Sequence, residues 1–77
     1  MSLDINSILS DDNKIKILSE RINQFATEIY QYELNKKTAI ATEMQQQVEA
    51  TDRAIEILTK AIEIHKAELD TLTSSAS

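Results

Sequence analysis

The chemistry that this 77-residue chain could support centres on its single histidine, His65. Glu68 follows it by three residues, so the imidazole and the carboxylate would share one face of a helix and could move a proton or bind a metal ion. One imidazole and one carboxylate are too few ligands for a metal site. Ile62 also occupies the place of the glutamate in the Glu-x-x-His motif of carboxylate-bridged helical bundles. Only a symmetric oligomer that gathers several His65 rings could hold a metal. We therefore predict that His65 is a polar layer or a pH-sensitive contact between helices.

Other catalytic groups are missing from the sequence. The chain has no cysteine for thiol chemistry and no glycine for a phosphate-binding loop. Its serines and threonines have no base placed beside them in any recognisable motif. We predict that the protein is not an enzyme and that it uses no metal, no cofactor and no small-molecule substrate.

The charge balance argues against several kinds of partner. Eight basic residues face thirteen acidic ones, for a formal net charge of −5. Only Lys36 and Lys37 are adjacent, whereas phosphate backbones need clustered basic side chains, so we expect no direct nucleic-acid binding. No apolar run approaches the ~18 residues of a membrane span, and no signal peptide is visible. We expect a cytoplasmic protein that does not enter membranes.

The elements that position these residues are helices. Glycine and proline are both absent, and most of the commonest residues are good helix formers, so we predict an all-α fold with few turns. Alternating steps of three and four, the spacing of helices packed side by side, occur in two stripes. The first stripe is Ile15, Leu18, Ile22, Phe25, Ile29 and Tyr32; the second is Ala41, Met44, Val48, Thr51, Ile55, Leu58, Ile62, His65, Leu69 and Leu72.

The two stripes would lie on opposite sides of one straight helix, because nine residues separate Tyr32 from Ala41. A turn between them brings both stripes together and predicts an antiparallel two-helix hairpin, similar to a coiled coil. Asn35 tolerates the left-handed conformation that ends many helices, and Thr38 could cap the next helix. The predicted parts of this single domain are an N-terminal arm at 3–9, helix one at about 12–34, a turn at 35–38, helix two at about 39–72, and a frayed tail at 73–77.

The same turn fixes a register. Folding the chain about Lys36 and Lys37 would place Phe25 opposite Val48 and leave helix two longer than helix one. The uncovered end of helix two, with Leu69 and Leu72, would then be covered either by the N-terminal arm or by another chain.

Helix two also carries apolar residues beside its stripe. Ile57 and Ile64 share one heptad row, and Ile40, Ala54 and Ala61 share the neighbouring row, so the apolar arc widens to roughly 160°. One hairpin partner cannot cover such an arc, and we predict that hairpins assemble into an oligomeric helical bundle. The predicted protein interface is Ile57, Ile64, Leu69, Leu72, Ile17 and Tyr30, and the predicted polar seam residues are Thr51 and His65.

These patterns favour a function based on protein–protein contacts. We expect a small acidic assembly factor, adaptor or chaperone-like subunit that binds both itself and another protein. The alternative is an inhibitor that blocks a larger protein, including one that handles nucleic acid, as phage or bacterial accessory proteins do. It would use the acidic faces of helix two, which carry Glu49, Asp52, Glu56 and Glu63. A continuous rod would need the apolar stripe to change sides midway.

Overall fold

The computed structural model describes residues 9–75, which form two long helices packed side by side. Helix α1 spans Asp11–Ala41 and helix α2 spans Gln45–Ser75, each of 31 residues. Residues early in α1 contact residues late in α2, so the helices are antiparallel, and the predicted all-α hairpin is confirmed. Neither helix in this part of the chain is long and apolar enough to cross a membrane.

Helix α1 begins within residues 10–13, a polar run whose residue types favour helix N-caps and first turns. Ser10 is the N-cap, with an extended backbone (φ −68°, ψ 159°) and a side chain that accepts a hydrogen bond of 3.2 Å from the Asn13 N–H. Asp11 and Asp12 occupy the first turn, where negative charge interacts favourably with the helix dipole. Residues 3–8 of the predicted arm lie outside the described residues.

The turn lies at Thr42–Met44, and the prediction of a turn at 35–38 is wrong. Asn35–Thr38 are helical, and the Thr38 hydroxyl donates to the Leu34 carbonyl within α1. Helix α1 ends in a Schellman motif, in which the N–H of Glu43 bonds to the Ile40 carbonyl (3.1 Å) and the N–H of Met44 to the Ala39 carbonyl (2.9 Å). Glu43 adopts φ 58°, the left-handed conformation that glycine usually supplies at this position.

The later turn is favourable because it gives the two helices equal lengths. A left-handed Glu43 costs about 1–2 kcal/mol. The earlier turn would leave large apolar side chains exposed at the end of α2. Full burial of each one stabilises the folded state by about 1.5–3 kcal/mol. Covering Ile62, Leu69 and Leu72 therefore outweighs the strain at Glu43. Helix α2 also continues past its predicted end at Leu72 to Ser75.

The register differs from the predicted one. Arg21 bonds to His65, Phe25 packs on His65, and Lys36 pairs with Asp52. Within these three pairs the two residue numbers add up to 86, 90 and 88, whereas the predicted pairing of Phe25 with Val48 gives 73. The shift is about two heptads, and because both stripes repeat every seven residues the same kinds of position still meet. Phe25 thus lies against His65 and not against Val48.

The core between the helices is thin. Ala39, Leu72 and Thr51 are buried, with exposed fractions of 3%, 9% and 9%, and the α1 seam continues through Lys36 to Ala39. Ile15, Ile22, Phe25 and Leu69 are only half-buried. Two helices alone cannot surround a side chain, so most of the seam keeps one edge open to solvent.

The end of α2 is covered by α1, which corrects part of the predicted interface. Leu72 is buried and lines a groove together with Leu9, Ile17 and Leu18 of the other arm of the hairpin, and Leu69 is half-buried. These two leucines were assigned to a partner because helix two was expected to outrun helix one, and it does not. Ile40 also belongs to α1, so it is not part of the apolar row on α2.

Candidate protein-docking face

The most exposed large aliphatic side chains of α2 are two isoleucines that lie outside the seam between α2 and α1. Ile57 is 62% exposed and Ile64 is 68% exposed, and the seven residues between them place both on the same side of the helix. Ala54 and Ala61, which are half-buried, lie beside them in the neighbouring row. On α1, Ile17 is 43% exposed. These exposures match the outward positions that the heptad pattern predicts for the three isoleucines.

Two shallow grooves between the helices show that Ile17 lies on the same broad face of the hairpin as Ile57 and Ile64. One groove is lined by Leu9, Lys14, Ile17, Leu18, Glu68 and Leu72. The other is lined by Glu28, Tyr32, Ala54, Ile57 and Leu58. Lys14 lines the first groove and Glu28 the second, and these two residues lie two heptads apart on α1. On α2, Glu68 of the first groove and Ala54 of the second are also two heptads apart. Residues two heptads apart lie on the same side of a helix.

We call this set, Ile17, Ala54, Ile57, Ala61 and Ile64, the isoleucine face. Its two grooves have volumes of about 180 and 210 Å³, below the ~300–1,000 Å³ of ordinary small-molecule pockets. An open, ridged apolar surface of this kind suits another helix better than a small ligand.

Tyr30 does not join the isoleucine face. It is 61% exposed, as predicted, but lies more than a quarter turn around α1 from Ile17. Leu34, which is 45% exposed, follows it by four residues and so lies next to it on the outer side of α1. Sequence reasoning missed Leu34, although this i, i+4 spacing from Tyr30 could have revealed the pair.

His65 is held between the helices by three contacts. The Arg21 Nε–H donates to His65 Nε2 at 3.0 Å, and His65 Nδ1 lies 2.6 Å from the Ala61 carbonyl. Because Nε2 accepts and a carbonyl cannot donate, the proton of the neutral ring is on Nδ1. Phe25 meets the ring edge-on, with centroids 5.0 Å apart, and the Arg21 guanidinium lies 5.4 Å from the Phe25 ring. The structure thus adds Arg21, a partner that the sequence pattern did not identify.

Glu68 is not part of this cluster of contacts. It lines the groove beside Lys14 and Ile17 instead. Among residues 9–75, no group of three or more histidine, cysteine, aspartate or glutamate side chains is arranged to hold a metal ion.

Thr51 behaves differently from His65, although both are polar seam residues. Its hydroxyl donates to the Gln47 carbonyl at 2.6 Å, inside its own helix, so its one donor is not available to α1. The polar contact that crosses the helices near this level is the Lys36–Asp52 salt bridge of 2.6 Å.

Comparison with known proteins returns no relative for this hairpin. No family model, no curated protein and no solved structure matches the chain.

Proposed function

We propose that the chain is a cytoplasmic, non-enzymatic docking module, a small acidic assembly factor or adaptor that works by burying its isoleucine face against a protein surface. The observation that supports this proposal is the joint exposure of Ile57 and Ile64, at 62% and 68%, on a side of α2 outside its seam with α1. Single exposed apolar residues are ordinary on protein surfaces, but a connected row beside a groove is typical of a binding surface.

The energetics agree with a face that needs several members. Complete burial of one isoleucine contributes about 1.5–3 kcal/mol, whereas association costs roughly 4–15 kcal/mol in lost freedom. Ile57 and Ile64 alone would barely offset that cost. Ile17, Ala54 and Ala61 enlarge the contact, and the small alanines allow a partner helix to approach closely.

The side chains with catalytic potential support binding over chemistry. Both ring nitrogens of His65 are engaged, one by Arg21 and the other by the Ala61 carbonyl. A histidine used as a general base needs a free nitrogen within reach of a substrate.

A photo-activated crosslinker tests the proposal in the cell that makes the protein. One variant carries p-benzoylphenylalanine in place of Ile64, and the control variant carries it in place of Thr59, which is exposed on the other side of α2. We expect light-dependent adducts with protein, either a second copy or a different chain, from position 64 and not from position 59. Equal adduct formation at the two positions, or none at 64, would contradict the proposed docking face.

A second candidate is the inhibitor that uses acidic surfaces. Glu49, Glu56 and Glu63 are exposed and recur every seven residues, so they form a negative row along α2, about 100° around the helix from Ile57 and Ile64. Asp52 is occupied in part by Lys36 and contributes less to this row. A partner bound through this row would dissociate steeply as salt is raised and would be insensitive to Ile57→Lys.

A further inference from the structure

We infer that the occupant of the isoleucine face is a second copy of this chain, with the two α2 helices packed antiparallel about a two-fold axis level with Thr59. The inference rests on the proposed docking function and names its partner.

The whole chain exposes more surface than a compact monomer of its mass. The chain exposes 6128 Å², whereas a compact monomer of its mass of 8.7 kDa exposes about 4,700 Å². The excess of about 1,400 Å² is larger than the ~800 Å² that each partner buries in a stable interface of ordinary size. The molecule is only 14 Å thick along its shortest axis, one layer of helices, so its broad faces have no covering layer.

The part of the isoleucine face on α2 is complementary in shape to the same part of a second copy. The members of this face on α2, Ala54, Ile57, Ala61 and Ile64, follow each other in steps of three, four and three, the spacing of a second seam on α2. When two α2 helices pack antiparallel about an axis level with Thr59, the residue numbers of each facing pair add up to 118. Ile57 then meets Ala61 of the second copy, and Ile64 meets Ala54. Every isoleucine then faces an alanine. Large side chains opposite small ones let the layers interdigitate without gaps.

Charged residues of both signs lie beside this seam. Arg53 and Lys60 are exposed along its outer edge, and Glu56 and Glu63 lie behind them. In the same register, Arg53 is level with Glu63 of the second copy to within about 3 Å along the axis, and Lys60 is level with Glu56. The two-fold axis doubles these contacts to four. Opposite charges are therefore level with each other across the pair, although the two Lys60 side chains also lie near the axis on the same edge and each chain carries a net charge of −5.

The chain has no cysteine, so a single introduced cysteine carries one nitroxide spin label at a chosen site. Lys60→Cys and Gln46→Cys lie on the same row of α2, and both positions are exposed. We expect a distance below about 20 Å between labels at position 60 and about 40 Å between labels at position 46, because position 46 lies far from the axis on each helix. A parallel pair would give short distances at both positions and would overturn the inference.

Substitutions separate this face from the remaining surface. Ile57→Lys with Ile64→Lys should weaken dimer formation about 100-fold or more in sedimentation experiments while the far-ultraviolet circular dichroism stays helical. The matched control is Leu34→Lys, an exposed leucine on the outer side of α1, which should leave the dimer intact. Loss of the dimer in the control variant alone would assign the contact to α1 and overturn the inference.

A charge exchange gives a test that does not depend on apolar packing. Arg53→Glu with Lys60→Glu should weaken the dimer, and the addition of Glu56→Lys with Glu63→Lys should restore it. Weakening without restoration would contradict the register.

A monomer at about 200 µM would overturn the inference and leave the docking function standing, provided that position 64 still crosslinks to a different protein. The inference would also fail if a variant without residues 1–8 dimerised while the full chain stayed monomeric, since those residues would then be the occupant. A monomer with no crosslink at position 64 would overturn both proposals.

Discussion

Helix α2 has two seams, and they differ in how much they depend on polar groups. The seam toward α1 contains Thr51 and His65, and the His65 ring is bonded to Arg21. The isoleucine face has only alanine and isoleucine along its centre, with charged residues at its border. A polar layer fixes register, because a shifted neighbour leaves a hydrogen bond unmade. The second seam must instead derive its specificity from the fit of large against small side chains.

The largest expected difference between the seams comes from removing one aliphatic side chain from each. Leu72→Ala should lower the free energy of unfolding by about 2–3 kcal/mol at any protein concentration, because Leu72 is buried within one chain. Ile64→Ala should cost less than about 0.5 kcal/mol in dilute solution and more when the protein is concentrated. Urea denaturation at about 1 and 100 µM measures both effects. Equal losses for the two variants in dilute solution would show that the seams do not differ in this way.

Removing the polar contact of the inner seam should have a smaller effect. Arg21→Ala should lower the free energy of unfolding by about 1 kcal/mol near pH 8, since it deletes a hydrogen bond to His65 and a cation–π contact with Phe25. Lys16→Ala, at an exposed position of α1, is the control and should change stability by less than about 0.5 kcal/mol.

The smallest expected effect concerns the turn that sets which part of α2 is covered. Glu43→Gly should raise the free energy of unfolding by about 0.5–1 kcal/mol, because glycine adopts φ 58° without the steric cost that glutamate bears. Glu49→Gly, inside α2, should lower it by about 1 kcal/mol. Thermal unfolding followed by circular dichroism distinguishes the two. Destabilisation by both glycines would argue against a left-handed residue at position 43.

Local chemistry and heptad spacing predicted much of the fold. The two antiparallel helices followed from the two stripes, and the exposure of Ile17, Ile57 and Ile64 followed from their heptad rows. The position of the turn could not be predicted in the same way. A seven-residue repeat allows several registers of equal pattern, and the correct one depends on the total area covered along both helices.

The candidate site was predicted only in part for related reasons. Leu72, which is buried within one chain, was misassigned because its environment depends on the register. Arg21 escaped notice because a long side chain at the edge of a seam gives no periodic signal, and its contact with His65 spans 44 residues of sequence. The Schellman motif was hidden because its left-handed residue is a glutamate and not a glycine or asparagine.

A seven-residue repeat allows several registers, which is why the turn was predicted in the wrong place. The same repeat allows the hairpin to become shorter or longer by whole heptads. Deleting one repeat from each helix next to the connection, residues 35–41 and 45–51, would keep Thr42–Met44 as the tip and leave Phe25 beside His65. The shortened hairpin would be about 10 Å shorter and would lose the stability that the deleted layers contribute. The remaining residues would keep their partners across the two helices. Span is thus a property that this architecture can change by whole repeats without redesigning its interior.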